Sequence, residues 1–162
     1  MGLVVLSFIR RKQAIGGWLL FFFGEVYVAV VVGAVASLPV VAAAFPGPLS
    51  PPSPNVGLLA LVVSLRLLGY LGMAVASTFL LKAREPIWVK RLRIAIGTAL
   101  ALDGITLIVD KLHFPGTLVG NLGRWFVLLA WLGYFSVSVR VRMVFFSKTW
   151  GETSVPEIPR FR

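Results

Sequence analysis

The chain has 162 residues, of which 58% are hydrophobic and 14% charged, and its mean hydropathy is +0.91. Soluble domains carry about 25% charged residues, so this balance excludes an ordinary water-soluble fold and leaves lipid as the solvent for the long apolar runs. The net charge is +10, but the Lys and Arg flank those runs in short clusters that suit anionic headgroups rather than a continuous nucleic-acid-binding face.

The N-terminal segment, residues 1–14, is too short to span and is expected on the cytoplasmic side or along its interface. Its apolar stretch Met1 to Ile9 precedes Arg10, Arg11 and Lys12, the reverse of the order in a secretory signal, so no cleavage is expected. Leu6 stands where a myristoylation signal needs Ser or Thr. The transmembrane domain is read over residues 15–146. Its first span covers about 17–38, interrupted only by Glu25 and expected to stop where Pro39 and the Pro-rich stretch 45–54 cannot continue a helix. The second covers about 56–81 with Arg66 inside it, the third about 92–109 with Asp103 inside it, and the fourth about 125–146. Each approaches the 20 or so residues needed to cross a hydrocarbon core of about 30 Å. Residues 147–162 are polar and Pro-bearing and read as a cytoplasmic tail.

The fold class that follows is an all-α membrane protein, four transmembrane helices in an antiparallel bundle with both termini cytoplasmic. Orientation rests on the distribution of positive charge, because cytoplasmic loops retain Lys and Arg during insertion. Arg10, Arg11, Lys12, Lys82, Arg84, Lys90, Arg91, Arg93, Arg140, Arg142, Lys148, Arg160 and Arg162 fall on one side; the other side has only Lys111 and Arg124. A multi-pass chain with N-in and C-in topology is what this implies. Trp18, Trp88 and Trp125 lie near span ends, where indole rings anchor at the headgroup level.

Three ionisable residues fall inside the spans, and each costs about 2.5 to 3.5 kcal/mol at a helix centre, so each calls for a partner. Arg66 lies about 14 Å from the outer end of the second span and Asp103 about 16 Å from the inner end of the third. Both therefore reach the midplane on neighbouring helices, which makes an Arg66 to Asp103 ion pair available. Glu25 reaches a similar depth and is a second candidate partner for Arg66. The cluster Glu25, Arg66 and Asp103 reads either as a polar clamp that fixes helix packing or as a proton or ion relay. Asp103, Thr106 and Asp110 share one face of the third helix, and the outer interfacial charges Asp110, Lys111 and Arg124 invite pairing of Asp110 with Lys111 or with Arg124.

Small residues at packing spacing, Gly69, Gly72 and Ala76 on the second helix with Gly97 and Ala101 on the third, predict close helix contact there. The run Gly116-Thr-Leu-Val-Gly120-Asn-Leu-Gly123 imitates a phosphate loop but lacks the Lys-Ser/Thr ending, and reads as an interfacial turn. Cysteine is absent, which removes disulfides and thiolate chemistry. The single histidine, His113, has no obvious co-ligands, so neither a metal nor another cofactor is expected. No Ser, His and Asp arrangement suits nucleophilic catalysis, and the parts outside lipid are too small for a catalytic domain, so an enzyme is not expected.

Two stretches carry a family resemblance: Ile15-Gly-Gly-Trp-Leu-Leu20, and Trp131-Leu-Gly-Tyr-Phe-Ser-Val-Ser-Val-Arg-Val-Arg-Met143 with Phe145. They resemble the bacterial family called domain of unknown function 2569, whose members are similar in length and are expected to be four-helix inner-membrane proteins. The family-like positions are Gly16, Gly17 and Trp18 at the start and Tyr134, Phe135, Ser138, Arg140, Val141 and Phe145 at the end. Val139 stands where the family often has Lys. The resemblance implies architecture and membrane but no reaction.

The function expected from the sequence is that of a non-enzymatic accessory, assembly or structural subunit of a membrane complex. Its partners would be other membrane subunits or a second copy, with anionic headgroups at the cytoplasmic face and no nucleic acid. The alternative is a small oligomeric transporter or channel that uses Glu25, Arg66 and Asp103.

Overall fold

A computed structural model describes residues 17–44, 54–83 and 85–146. It contains helices α1 (Trp18–Ala44), α2 (Pro54–Ala83), α3 (Pro86–His113), α4 (Leu118–Val137) and α5 (Val139–Phe146), with a 3-10 turn at Pro115–Thr117. Four helical segments, Trp18–Ala44, Asn55–Ala83, Pro86–His113 and Pro115–Val137, are long and apolar enough to cross a membrane. Large aliphatic side chains such as Val31, Val35, Ile94, Ile108 and Leu112 remain exposed around them, as expected of helices solvated by lipid rather than water. The chain is thus a multi-pass membrane protein in architecture.

The spans are longer than the hydropathy runs suggest, and the fourth is displaced. α1 continues through Pro39 to Ala44 instead of ending at Leu38. Proline removes one backbone hydrogen bond near the helix end, but in an apolar medium unwinding Val40 to Ala44 would strand several more. α2 and α3 both open on a proline, Pro54 and Pro86, whose missing N–H and fixed φ suit the first helical turn. α3 therefore starts six residues before Leu92. α4 starts at Leu118 rather than Trp125 and stops at Val137 rather than Phe146. The break falls at Ser138, which has extended backbone (φ −60°, ψ 122°) and accepts a hydrogen bond from the Val141 N–H (3.4 Å), as an N-cap residue does. Val139–Phe146 is then a separate short helix whose Val141, Val144 and Phe145 are buried.

Each spanning helix packs against the next in sequence. The closest approach is at Gly69 of α2, where an added Cβ would lie 3.0 Å from the Cβ of Ala99 and 3.1 Å from its Cα on α3. The other glycines expected at helix contacts do not serve there: a Cβ on Gly72 or Gly97 meets nothing within 4 Å, and Ala101 is exposed. The contact face of α3 runs instead through Leu92, Ile96, Ala99, Asp103, Thr106 and Asp110.

The interior has two distinct halves. Near the Glu85 end it is apolar and aromatic, built from Leu19, Phe22, Phe23, Met73, Leu80, Leu92, Ile96, Leu128, Trp131 and Phe135. Toward the His113 end the buried surface of α3 turns polar, and charged residues from three helices converge on it.

Candidate functional site

Asp103, Thr106 and Asp110 recur at three and seven residues, so they stack along one face of α3, and all three are buried. α2 brings Arg66 to this face. Its Nε donates to Thr106 Oγ1 (3.0 Å) and lies 3.2 Å from Asp103 Oδ1, while its Nη2 donates to Asp110 Oδ2. α4 brings Asn121 and Arg124, which are one turn apart. Arg124 grips Asp103 with both arms of its fork, Nε to Oδ2 at 3.1 Å and Nη2 to Oδ1 at 2.8 Å. Asn121 Nδ2 donates to Asp110 Oδ2 at 2.7 Å. Thr106 completes the set by donating to the Asp103 carbonyl oxygen at 2.9 Å.

Two arginines and two aspartates make a cluster of zero formal charge joining α2, α3 and α4. Parallel N–H donors from a guanidinium to one carboxylate are among the stronger polar contacts. Inside hydrocarbon they offset desolvation only when the remaining polar atoms are also satisfied. Each carboxylate has at least two partner side chains, Arg66 and Arg124 at Asp103 and Arg66 and Asn121 at Asp110, and side-chain exposure is 4% for Asp103 and 2% for Asp110, against 13% for Arg66 and 29% for Arg124. The acids are buried, and the arginines are the more exposed members of the cluster.

Several expected pairings differ. Glu25 is not a partner of Arg66; its Oε2 accepts a hydrogen bond from Trp131 Nε1 at 2.9 Å. The register of α1 on α2 explains this. Tyr27 meets Thr78 at 2.8 Å and Gly33 faces Leu67, so the level of Arg66 on α1 is near residue 33, about 12 Å from Glu25 along the helix. Asp110 pairs with neither Lys111 nor Arg124 but with Arg66 and Asn121. Lys111, one residue on, is rotated to the exposed side, and Arg124 lies well inside α4 because that helix begins earlier than its hydropathy suggests. His113 is exposed, and among the described residues no three His, Cys, Asp or Glu side chains converge on a metal-sized site.

The two family-like motifs meet in space. Gly17 has φ 57°, a conformation that favours glycine, and leads into α1 through its carbonyl oxygen, which accepts from the Phe21 N–H at 3.1 Å. Trp18 then lies 6.3 Å from Trp131, and Phe22 sits edge-on to Trp131 and Phe135 at 5.0 and 4.7 Å between ring centroids. Tyr134 packs against both Trp131 and Phe135. Ser138, Val141 and Phe145 form the cap and buried face of α5. Gly16 and the Arg140 side chain lie outside what is described.

Two cavities border these groups. One of about 330 Å³ lies between α1 and α2, lined mainly by Ala29, Val32, Gly33, Val63 and Leu67, and reaches Arg66, Tyr70 and Arg124. The other, about 470 Å³, lies between α1 and α4 around Glu25, with Trp18, Phe21, Val127, Ala130, Trp131 and Tyr134. Asn121 and Trp131 were not recognisable as polar partners from hydropathy. Their signals are the i, i+3 spacing of Asn121 and Arg124, which puts both on one face of α4, and the intramembrane carboxylate that an indole N–H can serve.

In comparisons with known proteins, no family model, no curated protein and no solved structure matches this chain.

Proposed function

We propose that the protein is a non-enzymatic accessory, assembly or structural subunit of a membrane complex, an antiparallel bundle of four crossings with both ends on the cytoplasmic side of a bacterial inner membrane. The carrying observation is the arrangement of the intramembrane charges. Asp103 and Asp110, the groups a proton relay would use, are buried and bound by Arg66, Arg124, Thr106 and Asn121. Such a cluster fixes the packing of three helices and leaves the outer faces for association. The antiparallel arrangement is supported by α1 to α2 contacts that run in opposite directions, Tyr27 to Thr78 and Gly33 to Leu67. Orientation is supported by Lys82, Lys90, Arg91 and Arg93 around the turn at Glu85. The contact between the Gly17-Trp18 and Trp131 to Phe135 segments makes one unit of the two motifs, which supports membership of the domain of unknown function 2569 family as a further part of the proposal.

Solubilisation in a mild detergent from native membranes, followed by native mass measurement, tests the subunit reading. A complex with another membrane protein or with a second copy is expected; a lone monomer at native expression contradicts it.

A specific observation favours the second reading, an oligomeric transporter or channel: the cavity of about 330 Å³ that reaches Arg66 and Arg124. Its walls are mostly aliphatic and the charged groups it meets, Arg66 and Arg124, are held by Asp103 and Asp110, which is why the subunit reading is preferred. Ion or proton flux in liposomes that disappears when Asp103 and Arg124 are jointly neutralised would reverse that preference.

A further inference from the structure

Inside the four spans the described carboxylates are Glu25, Asp103 and Asp110, and the two aspartates take Arg66 and Arg124, while Arg93, seven residues into α3, donates from Nε to the Phe135 carbonyl oxygen at 2.9 Å. Glu25 has no cation within ion-pair distance among the described residues. Its one hydrogen bond comes from Trp131 Nε1 to Oε2, and Oε1 has no donor from a described residue. It stands seven residues into α1, about 10 Å from the start of that helix, below the level of lipid headgroups. The carboxylate borders the cavity of about 470 Å³ between α1 and α4. That seam is the loosest in the bundle: the helices pack in sequential pairs, and the backbones of α1 and α4 stay apart, bridged by Trp18, Phe21, Phe22 and Trp131. Trp18, Val127 and Ala130 on its rim are exposed.

We propose that the α1 and α4 seam at Glu25 receives a transmembrane helix of a different membrane protein, one that carries a Lys or Arg within its span about two turns from the same end. This rests on the subunit reading and names the chemistry of its partner. Charge complementarity selects the occupant. A second copy docked by the same seam in a two-fold contact would bring carboxylate against carboxylate. A phospholipid would offer acyl chains at this depth and keep its charged group nearer the surface. A helix with one basic side chain fills the apolar cavity and gives Glu25 a counter-ion in a medium where an unpaired charge is costly.

The test uses the full chain in native membranes, with a photo-crosslinking amino acid at Ala130 in the seam or at Ile94 on the exposed face of α3. The expected product at Ala130 is a discrete adduct whose second peptide is an apolar span containing Lys or Arg. Glu25→Gln keeps an acceptor for Trp131 and the shape of the side chain, so the fold is retained, which an unchanged thermal midpoint checks. It should lower the Ala130 adduct about tenfold, and Glu25→Asp should retain part of it. Glu25→Lys should abolish it, and replacing the partner's basic residue by Glu should restore it. Adducts to lipid alone, to a second copy, or to a span without a basic residue overturn the inference, as does a yield that Glu25→Gln leaves unchanged. Protein adducts at Ile94 with none at Ala130 sink the seam and leave the subunit reading standing. Absence of protein adducts at both positions, with a lone monomer on native mass measurement, sinks both.

Discussion

Asp103→Asn is the sharpest perturbation of the charge cluster, because one substitution removes the ion pair between α4 and α3 and leaves the cluster with two guanidinium groups and one carboxylate. Arg124 loses one of its two acceptor oxygens, which lie at 2.8 and 3.1 Å, together with its counter-charge, and Arg66 loses the charged neighbour at 3.2 Å while keeping Asp110. Removing one partner of a buried ion pair costs about 3 to 5 kcal/mol, since the other charge stays desolvated. Arg124→Met leaves Asp103 with Arg66, and because Arg124 is 29% exposed its cost is set lower, about 2 to 3 kcal/mol. The double variant returns the cluster to neutrality as one Arg66 to Asp110 pair. It should therefore be more stable than the sum of the single losses by about 2 kcal/mol, or about thirtyfold in the unfolding equilibrium. Neutral hydrogen bonds between membrane helices couple by only about 0.6 kcal/mol on average, so a value near 2 separates charge compensation from ordinary hydrogen bonding. Equilibrium unfolding in mixed micelles, followed by tryptophan fluorescence, gives the four stabilities of the cycle. A coupling below about 0.5 kcal/mol, the usual error of additivity, would refute charge compensation at this site.

Other substitutions test the packing. Gly69→Ala should cost about 1 to 3 kcal/mol because its Cβ would press on Ala99, whereas Gly97→Ala, which meets nothing, should change the thermal midpoint little. Ser77→Ala should be neutral or stabilise by about 1 kcal/mol in the same unfolding assay, since its buried hydroxyl has no partner among the described residues. Trp131→Phe keeps an aromatic ring beside Phe22 but removes the donor to Glu25. Its expected loss is about 1 to 2 kcal/mol, and that loss should largely vanish in a Glu25→Ala background.

The four long apolar helices were legible because lipid demands long apolar runs, and Arg66 and Asp103 were legible as neighbours because their depths can be counted along two short-looped helices. Helix ends were harder to read. Pro39 looks like a terminus in water, but hydrocarbon penalises unpaired backbone more than one missing N–H, so α1 runs on to Ala44. Ser138 hides a break inside an apolar run, and Leu118 to Arg124 form helix although glycines at 120 and 123 suggest a turn. That shift of α4 changes every pairing near it: it lifts Arg124 from the interface to Asp103 and places Asn121 beside Asp110. Depth alone makes Glu25 a second candidate partner for Arg66, and only the register of α1 on α2 separates them.

Membrane sidedness can be measured most directly with compartment-sensitive reporters fused after Glu85 and after Gly116, in the turns at opposite ends of α3. A cytoplasmic signal at Glu85 and an external one at Gly116 are expected from a helix that crosses the bilayer with its basic start inside. Signals from a single compartment at both positions would contradict the crossing, and with it the placement of Arg66, Asp103, Asp110 and Arg124 in hydrocarbon.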